Sequence, residues 1–248
     1  MKTLLIDIET TPNLAHVWSL WQQNVGLSQL LESAELLCFA AKWHGAKRVE
    51  FASQFHDGKH EMVERAHRLL DQADVVMHYN GTSFDMPHLN REFVQAGMEP
   101  PSPYKQVDLL RVVKRRFRFP SNKLDYVLRA LDLPGKVGHA GHELWVKCMA
   151  GDEKAWNQMR RYNRRDVTAL EDLAERLRPW IPGLPNAALY SGEGHEDACP
   201  GCGSTELEKR GYAYTQTSAF QQYKCKGCGR WCRGGKALFR VDLREVAQ

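Results

Sequence analysis

Two carboxylates interrupt an otherwise aliphatic opening segment, Lys2-Thr3-Leu4-Leu5-Ile6-Asp7-Ile8-Glu9-Thr10. Acids are depleted in strands, and the i, i+2 spacing sets Asp7 and Glu9 on one face of such an element. Like charges so placed repel each other unless a divalent cation or some other group offsets them. A strand end emerging into solvent accounts for the same pair. Two further acids stand in telling surroundings. Asp85 closes Tyr79-Asn80-Gly81-Thr82-Ser83-Phe84-Asp85, which follows an apolar run, turns on a glycine and leads into a helical pattern. Taken alone, Asp85 reads as a helix N-cap. Asp166 ends Tyr162-Asn163-Arg164-Arg165-Asp166, so Tyr162 and Asp166 share a helix face one turn apart. Taken alone, that is a partly buried tyrosine beside a surface aspartate.

A second constellation is made of sulfur. Five of the seven cysteines crowd between Cys199 and Cys232, with Cys199-Pro200-Gly201-Cys202 and Cys225-Lys226-Gly227-Cys228 separated by twenty-two residues. Four thiolates so spaced suit one tetrahedral Zn²⁺ in a closed, structural site. Gly201 and Gly227 precede the second cysteine of each pair and Gly203 and Gly229 follow it, which permits the tight turns of a zinc knuckle. Cys232 is a spare thiol on this reading. Cys38 and Cys148 read as small apolar residues.

The elements that must position these groups follow from periodicity. Strands are predicted at residues 3–8, 36–43, 48–53, 75–79 and 106–110. Helical stripes run through Met62, Val63, Ala66, Leu69 and Leu70, through residues 86–96, and through Leu124, Val127, Leu128 and Leu131. A basic helix follows the strand at 106–110. A long helix spans about Glu153 to Leu177, its stripe made of Trp156, Met159, Val167, Leu170, Leu173 and Leu177 before Pro179 stops it. This order predicts an α/β domain over residues 1–181, a mixed β-sheet flanked by helices. Turn formers mark 182–196 as a linker. Residues 197–236 form the cysteine module, with short strands near 209–215 and 221–224, and 237–248 a C-terminal tail.

Asp-Ile-Glu-Thr, then Tyr-Asn-x-x-x-Phe-Asp, then Tyr-x-x-x-Asp, in that order, resembles the three motifs of the DEDD (DnaQ-like) 3′-to-5′ exonucleases. The resemblance spans roughly residues 1–180 and includes Lys123-Leu124-Asp125-Tyr126-Val127-Leu128. It is nearest to the proofreading exonuclease of family-B DNA polymerases, and it is to the tyrosine branch, because Tyr162 stands four before Asp166 and Arg161 occupies the place a histidine branch would need. The resemblance implies a ribonuclease H-like fold. It also implies that Asp7, Glu9, Asp85 and Asp166 hold two Mg²⁺ or Mn²⁺ ions, one activating a water and the other stabilising the leaving 3′-oxygen. Tyr162 would orient or help deprotonate that water, and the product would be a nucleoside 5′-monophosphate. By the same analogy Thr10, Asn80 and Phe84 grip the terminal nucleotide, although Phe84 fits a core position equally. The cysteine module resembles a zinc ribbon. Asp108 and Asp125 read as structural, and His139 and His142 as loop residues.

Charge points to a polyanionic partner. The net charge of +4 decides little, but five cations lie between Arg111 and Arg118 and six between Lys224 and Arg240, with no acid in either run. Arg160, Arg161, Arg164 and Arg165 add to the supply, although helix-face solvation accounts for any one of them. In the ribbon, Tyr212, Tyr214, Phe220, Tyr223 and Trp231 interleave with the cations, a composition shared by single-strand binders and by small ribbon cores. Nucleic acid is therefore the expected partner, single-stranded DNA before RNA, with protein partners undefined. No apolar run is long enough to span a bilayer, the N-terminus lacks a secretory layout, and the cysteine pattern suits a reducing compartment, so a cytoplasmic protein is expected. The length beyond the first domain accommodates the ribbon and no polymerase domain. Other readings are a 3′-to-5′ exoribonuclease, a structure-specific endonuclease, and a non-catalytic nucleic-acid-binding protein; the last has no need of all four carboxylates and Tyr162.

Overall fold

The computed structural model describes residues 1–135, 141–190 and 197–244. His139, the second part of the expected linker and the last four residues of the expected tail lie outside the described residues. The chain divides into two compact units, Lys2–Ala174 and Glu175–Gln248.

The first unit opens with β1 (Thr3–Thr10), whose end leads into a small antiparallel pair, β2 (Leu14–Ala15) and β3 (Leu30–Glu32). Then come β4 (Leu36–Trp43), β5 (Glu50–Ser53), α1 (Gln54–Asp57), α2 (Lys59–Asp71), β6 (Val75–His78) and α3 (Asp85–Gln95). After β7 (Lys105–Asp108) the chain is helical: α4 (Leu109–Arg116), α5 (Leu124–Ala130), α6 (His142–Met149) and α7 (Glu153–Leu177). Five strands form one sheet in the order β5-β4-β1-β6-β7. β1 lies antiparallel to β4 and parallel to β6, and β6 is parallel to β7, so the sheet is mixed as expected.

Strand periodicity sorts the side chains of the central strand. Leu4, Ile6 and Ile8 share an apolar cluster with Met62, Val63, Ala66 and Leu70 of α2 and Met86, Leu89 and Phe93 of α3. Each such burial contributes about 1.5–3 kcal/mol, so the aliphatic residues fix the strand and the acids are carried with it to the opposite face. On that face a second cluster joins Leu37 and Cys38 of β4 to Leu144 and Cys148 of α6 and to Trp156, Met159 and Tyr162 of α7. Lys42 of β4 pairs with Glu171, a further tie to α7. His142 opens α6 and is not the loop residue expected of it.

The second unit contains β8 (Leu207–Tyr214), β9 (Ser218–Cys225) and β10 (Trp231–Arg240), an antiparallel sheet in the order β10-β9-β8. Two of these strands were expected. The third escapes a reading of alternation because register shifts flank Ala237, where Gly234 and Gly235 stand in the strand. Arg230 donates hydrogen bonds to the carbonyls of Arg178 and Ile181, satisfying acceptors left free where the long helix ends.

Candidate active site

Asp7 and Glu9 lie on the face of β1 turned away from α2 and α3, and α7 supplies what they meet. Carboxylate oxygens of Asp7, Glu9 and Asp166 all lie within 4.8 Å of one another. Asp166 is only 2% exposed, so the surface aspartate that its spacing allowed is excluded. A register shift between Glu9 and Thr10 marks a bulge where β1 passes the cluster, a device that re-aims side chains.

One helical turn below Asp166, the Tyr162 hydroxyl hydrogen-bonds to the Asp166 carboxylate. Burial first, then the charges of Asp166, Glu9 and Asp7, hold the Tyr162 phenol well above its ordinary pKa, so it is a neutral hydroxyl at physiological pH. Asn163 is fully buried beside it, and its Nδ2 donates to Asp7 Oδ2 at 2.7 Å and to the Asp7 carbonyl at 3.2 Å. Sequence reasoning passed over Asn163. The signal available was an amide three residues before Asp166, on the same face of a helix whose interior disfavours asparagine.

Asp85 arrives from another direction. It is the first residue of α3, with Phe84 in the N-cap position, so it is not the cap expected of it. Its Oδ1 accepts a hydrogen bond from the Ile8 amide at 3.1 Å, bringing it to the same strand between Asp7 and Glu9. It does not share the mutual 4.8 Å spacing of the other three acids. Burial pushes the Asp85 carboxyl up to about 7, helped by the charge of Asp108 and opposed by the Ile8 amide and its own backbone N–H. Hard carboxylate oxygens gathered on one strand face, one of them with a charge disfavoured by burial, fit divalent cations such as Mg²⁺ or Mn²⁺.

A family model for the RNase H superfamily matches residues 4–178. The chain belongs to the RNase H superfamily. Among solved structures, this RNase H superfamily chain is similar to the family B DNA polymerase from the hyperthermophilic archaeon Pyrobaculum calidifontis, at 19% identity and a TM-score of 0.56. The likeness covers 72% of this chain and 24% of that one, so the chain spans about a quarter of the polymerase's length and the two share a fold. No match was found among curated proteins. Fold and carboxylate cluster together support a nuclease.

The residues expected to touch substrate are spread out. Thr10 ends β1 beside the bulge, and a cleft of about 600 Å³ begins at the next residue, Thr11. Leu37, Phe55 and Trp156 line the cleft, with Phe55 stacked on Trp156 at 5.6 Å, and Asn13, Glu32 and Glu35 line it too. Asn80 has an exposed side chain and a positive φ of 69°, and its amide donates to Asp108 Oδ1 at 2.9 Å. Phe84 is 38% exposed against His88 and is not a core residue. Neither Asn80 nor Phe84 lines that cleft. Asp108 caps α4 through the Leu110 amide and Asp125 pairs with Arg129, so both are structural as expected. Two of the four α7 arginines have local partners: Arg160 lies over the Phe51 ring and Arg165 donates to the Gly135 carbonyl.

In the second unit the Sγ atoms of Cys199, Cys202, Cys225 and Cys228 lie within 4.8 Å of one another. Cys199 and Cys228 are 3.7 Å apart, and Cys202 and Cys225 are 3.6 Å apart. Four sulfurs at these separations fit one Zn²⁺. The Gly201 amide points at the Cys199 sulfur, and a Cβ at Gly201 would meet the Arg230 guanidinium at 2.5 Å, which explains the glycine. Cys232 stands outside this cluster, and burial pushes its thiol up to about 11.

Proposed function

We propose that this chain is a two-metal-ion 3′-to-5′ exonuclease that hydrolyses single-stranded DNA to nucleoside 5′-monophosphates. The catalytic residues are Asp7, Glu9, Asp85, Tyr162 and Asp166, within a domain of residues 1–181. A linker (182–196), a ribbon (197–236) with zinc bound by Cys199, Cys202, Cys225 and Cys228, and a tail (237–248) complete the chain. The observation that carries the reading is the Asp7, Glu9 and Asp166 cluster beside Tyr162, on an RNase H fold. The similarity to part of a family B DNA polymerase and the motif order support the 3′-to-5′ direction and the choice of DNA.

Divalent cations held by the four carboxylates would supply Lewis-acid stabilisation of the charge that builds on the phosphate. The chain's own groups do the rest. Water attacks the terminal phosphodiester, the bond from phosphorus to the 3′-oxygen breaks, and the shortened strand leaves with a 3′-hydroxyl. The Tyr162 hydroxyl donates to Asp166, which leaves its lone pairs free to accept a hydrogen bond from the attacking water and orient it. Asn163 holds the Asp7 carboxylate in one rotamer. Thr10, Asn80 and Phe84 are the candidates for gripping the terminal nucleotide, and the cleft next to Thr10 has the volume of a small-ligand site.

A 5′-labelled single-stranded oligonucleotide tests the direction. With Mg²⁺ or Mn²⁺ and a free 3′-hydroxyl it should shorten stepwise, with nucleoside 5′-monophosphates as the released product. Internal fragments appearing before the ladder, or equal cleavage of a 3′-blocked strand, would overturn the exonuclease reading in favour of an endonuclease. Faster hydrolysis of the matching RNA would reverse the preference for DNA.

A further inference from the structure

The three-stranded sheet of the second unit has two unlike faces, and its register says which residues share each. Trp231 pairs with Lys224, Arg233 with Gln222, Ala237 with Phe220 and Arg240 with Ser218. Cross-strand partners lie on the same side of a sheet, so Phe220, Lys224, Trp231, Arg233 and Arg240 share one face. The opposite face carries Tyr212, Tyr214 and Phe239 around the buried Ala219. Those three rings are spent on one another: Tyr212 meets Tyr214 at 6.3 Å and Phe239 at 6.0 Å, both edge-on. They are the small apolar core that a ribbon needs.

The first face is built differently. Trp231 is 52% exposed, and the Arg233 guanidinium carbon sits 3.8 Å above the centre of the Phe220 ring. Phe220 holds that planar group flat, with its other side toward solvent. Glu208, opposite Lys224, is engaged by Arg210 at 3.0 Å. Lys224, Arg233 and Arg240 have no acidic partner among the described residues. The face therefore presents two flat stacking surfaces, two residues or roughly 7 Å apart along one strand, flanked by uncompensated positive charge.

We propose that this face binds single-stranded nucleic acid. Bases stack on Trp231 and on the Arg233 guanidinium, and Lys224 and Arg240 contact phosphates. An acidic peptide would satisfy the cations but not the two stacking planes, whereas a single strand offers both a polyanion and unpaired base faces. The inference rests on the nuclease reading only in sharing its polymer.

The test uses the full-length chain carrying Asp7→Ala to suppress turnover, with a 5′-fluorescein-labelled oligothymidylate followed by anisotropy over a range of salt. Adding Trp231→Ala should weaken binding about tenfold, while Trp231→Phe, which keeps a ring, should bind as the parent. Adding Lys224→Ala, Arg233→Ala and Arg240→Ala together should lower the slope of log K against log salt by about 2. Tyr214→Ala, on the other face, should leave affinity and slope unchanged. One zinc per chain in each variant establishes that the ribbon is folded. Parent-like affinity and slope in both the Trp231→Ala and the triple variants, with zinc retained, would overturn the proposal and leave protein docking as the role of the face. Hydrolysis by the unsubstituted chain of a one-nucleotide p-nitrophenyl ester is read separately. Its absence would sink the nuclease reading while leaving the binding result to decide the ribbon.

Discussion

Asp7 is held by a residue 156 positions away, and that contact decides what kind of site this is. A carboxylate free to rotate binds a cation weakly, whereas one fixed by an amide donor is oriented in advance. Asn163→Ala is expected to lower turnover about 10- to 100-fold and to raise the Mg²⁺ concentration needed for half-maximal rate. A purely structural Asn163 would leave the metal requirement unchanged, so a Mg²⁺ titration of the variant separates the two. Asp7, Glu9, Tyr162 and Asp166 were legible in the sequence because their spacings are those of a strand and a helix face. Asn163 was not, because its role depends on which strand α7 covers. Asp85 was legible as a motif member, but its likeness to an N-cap hid where its carboxylate points. Phe84 illustrates a different limit: an aromatic residue at a helix start fits core and surface alike until the packing is seen.

Among elements, the turn between β6 and α3 is the one the site depends on most. Asn80 adopts a left-handed backbone there, and a Cβ at Gly81 would lie 2.4 Å from Cγ of the fully buried His78. Gly81→Ala is expected to destabilise the fold by about 1–3 kcal/mol, read as a lower Tm, because neither partner has room to move. An unchanged Tm would mean that the turn is not packed this tightly. Glu92 ties α3 to its neighbours, accepting from the Leu36 amide at 3.2 Å and from Arg91 at 2.8 Å and pairing with Lys59 at 3.4 Å. Burial alone would raise its pKa; Arg91, the Leu36 amide and Lys59 outweigh burial and hold it below the ordinary 4.5. A depressed carboxyl pKa means that the unfolded chain binds the proton more readily. Its stabilisation is therefore full above about 4.5 and is lost as pH falls through the lower folded value. Denaturant unfolding of Glu92→Gln should show a smaller loss of stability across that acid window than the parent shows; identical pH dependence would remove Glu92 from the account. The long apolar stripes of β4 and α7 made those elements readable from sequence. β10 and α6 were missed because two glycines break the alternation of one and the other is short.

At the scale of the whole molecule, two donor sets occupy two compact units, hard oxygens in one and soft sulfurs in the other. Cys199→Ser should lower zinc below one per chain and open residues 199–240 to protease, whereas Cys232→Ser should keep the full zinc content. Loss of zinc from Cys232→Ser alone would reassign the fourth ligand. The division between a mixed-sheet domain and a cysteine module was readable from composition, since two closely spaced cysteine pairs after a turn-rich stretch favour a metal-held module over disulfides wherever thiols stay reduced. The division falls at Glu175, inside α7, where helical periodicity runs on without a break and so left no mark in the sequence. The central claim is that Asp7, Glu9, Asp85 and Asp166 form one metal-dependent hydrolytic site. It is tested most directly by degradation of 5′-labelled single-stranded DNA over a Mg²⁺ and Mn²⁺ titration, comparing the parent chain with Asp7→Ala. The account predicts metal-dependent shortening from the 3′ end by the parent and a loss of at least about a hundredfold in the variant at every metal concentration. Equal rates in the two proteins, or binding without cleavage by the parent under all metal conditions, would contradict it.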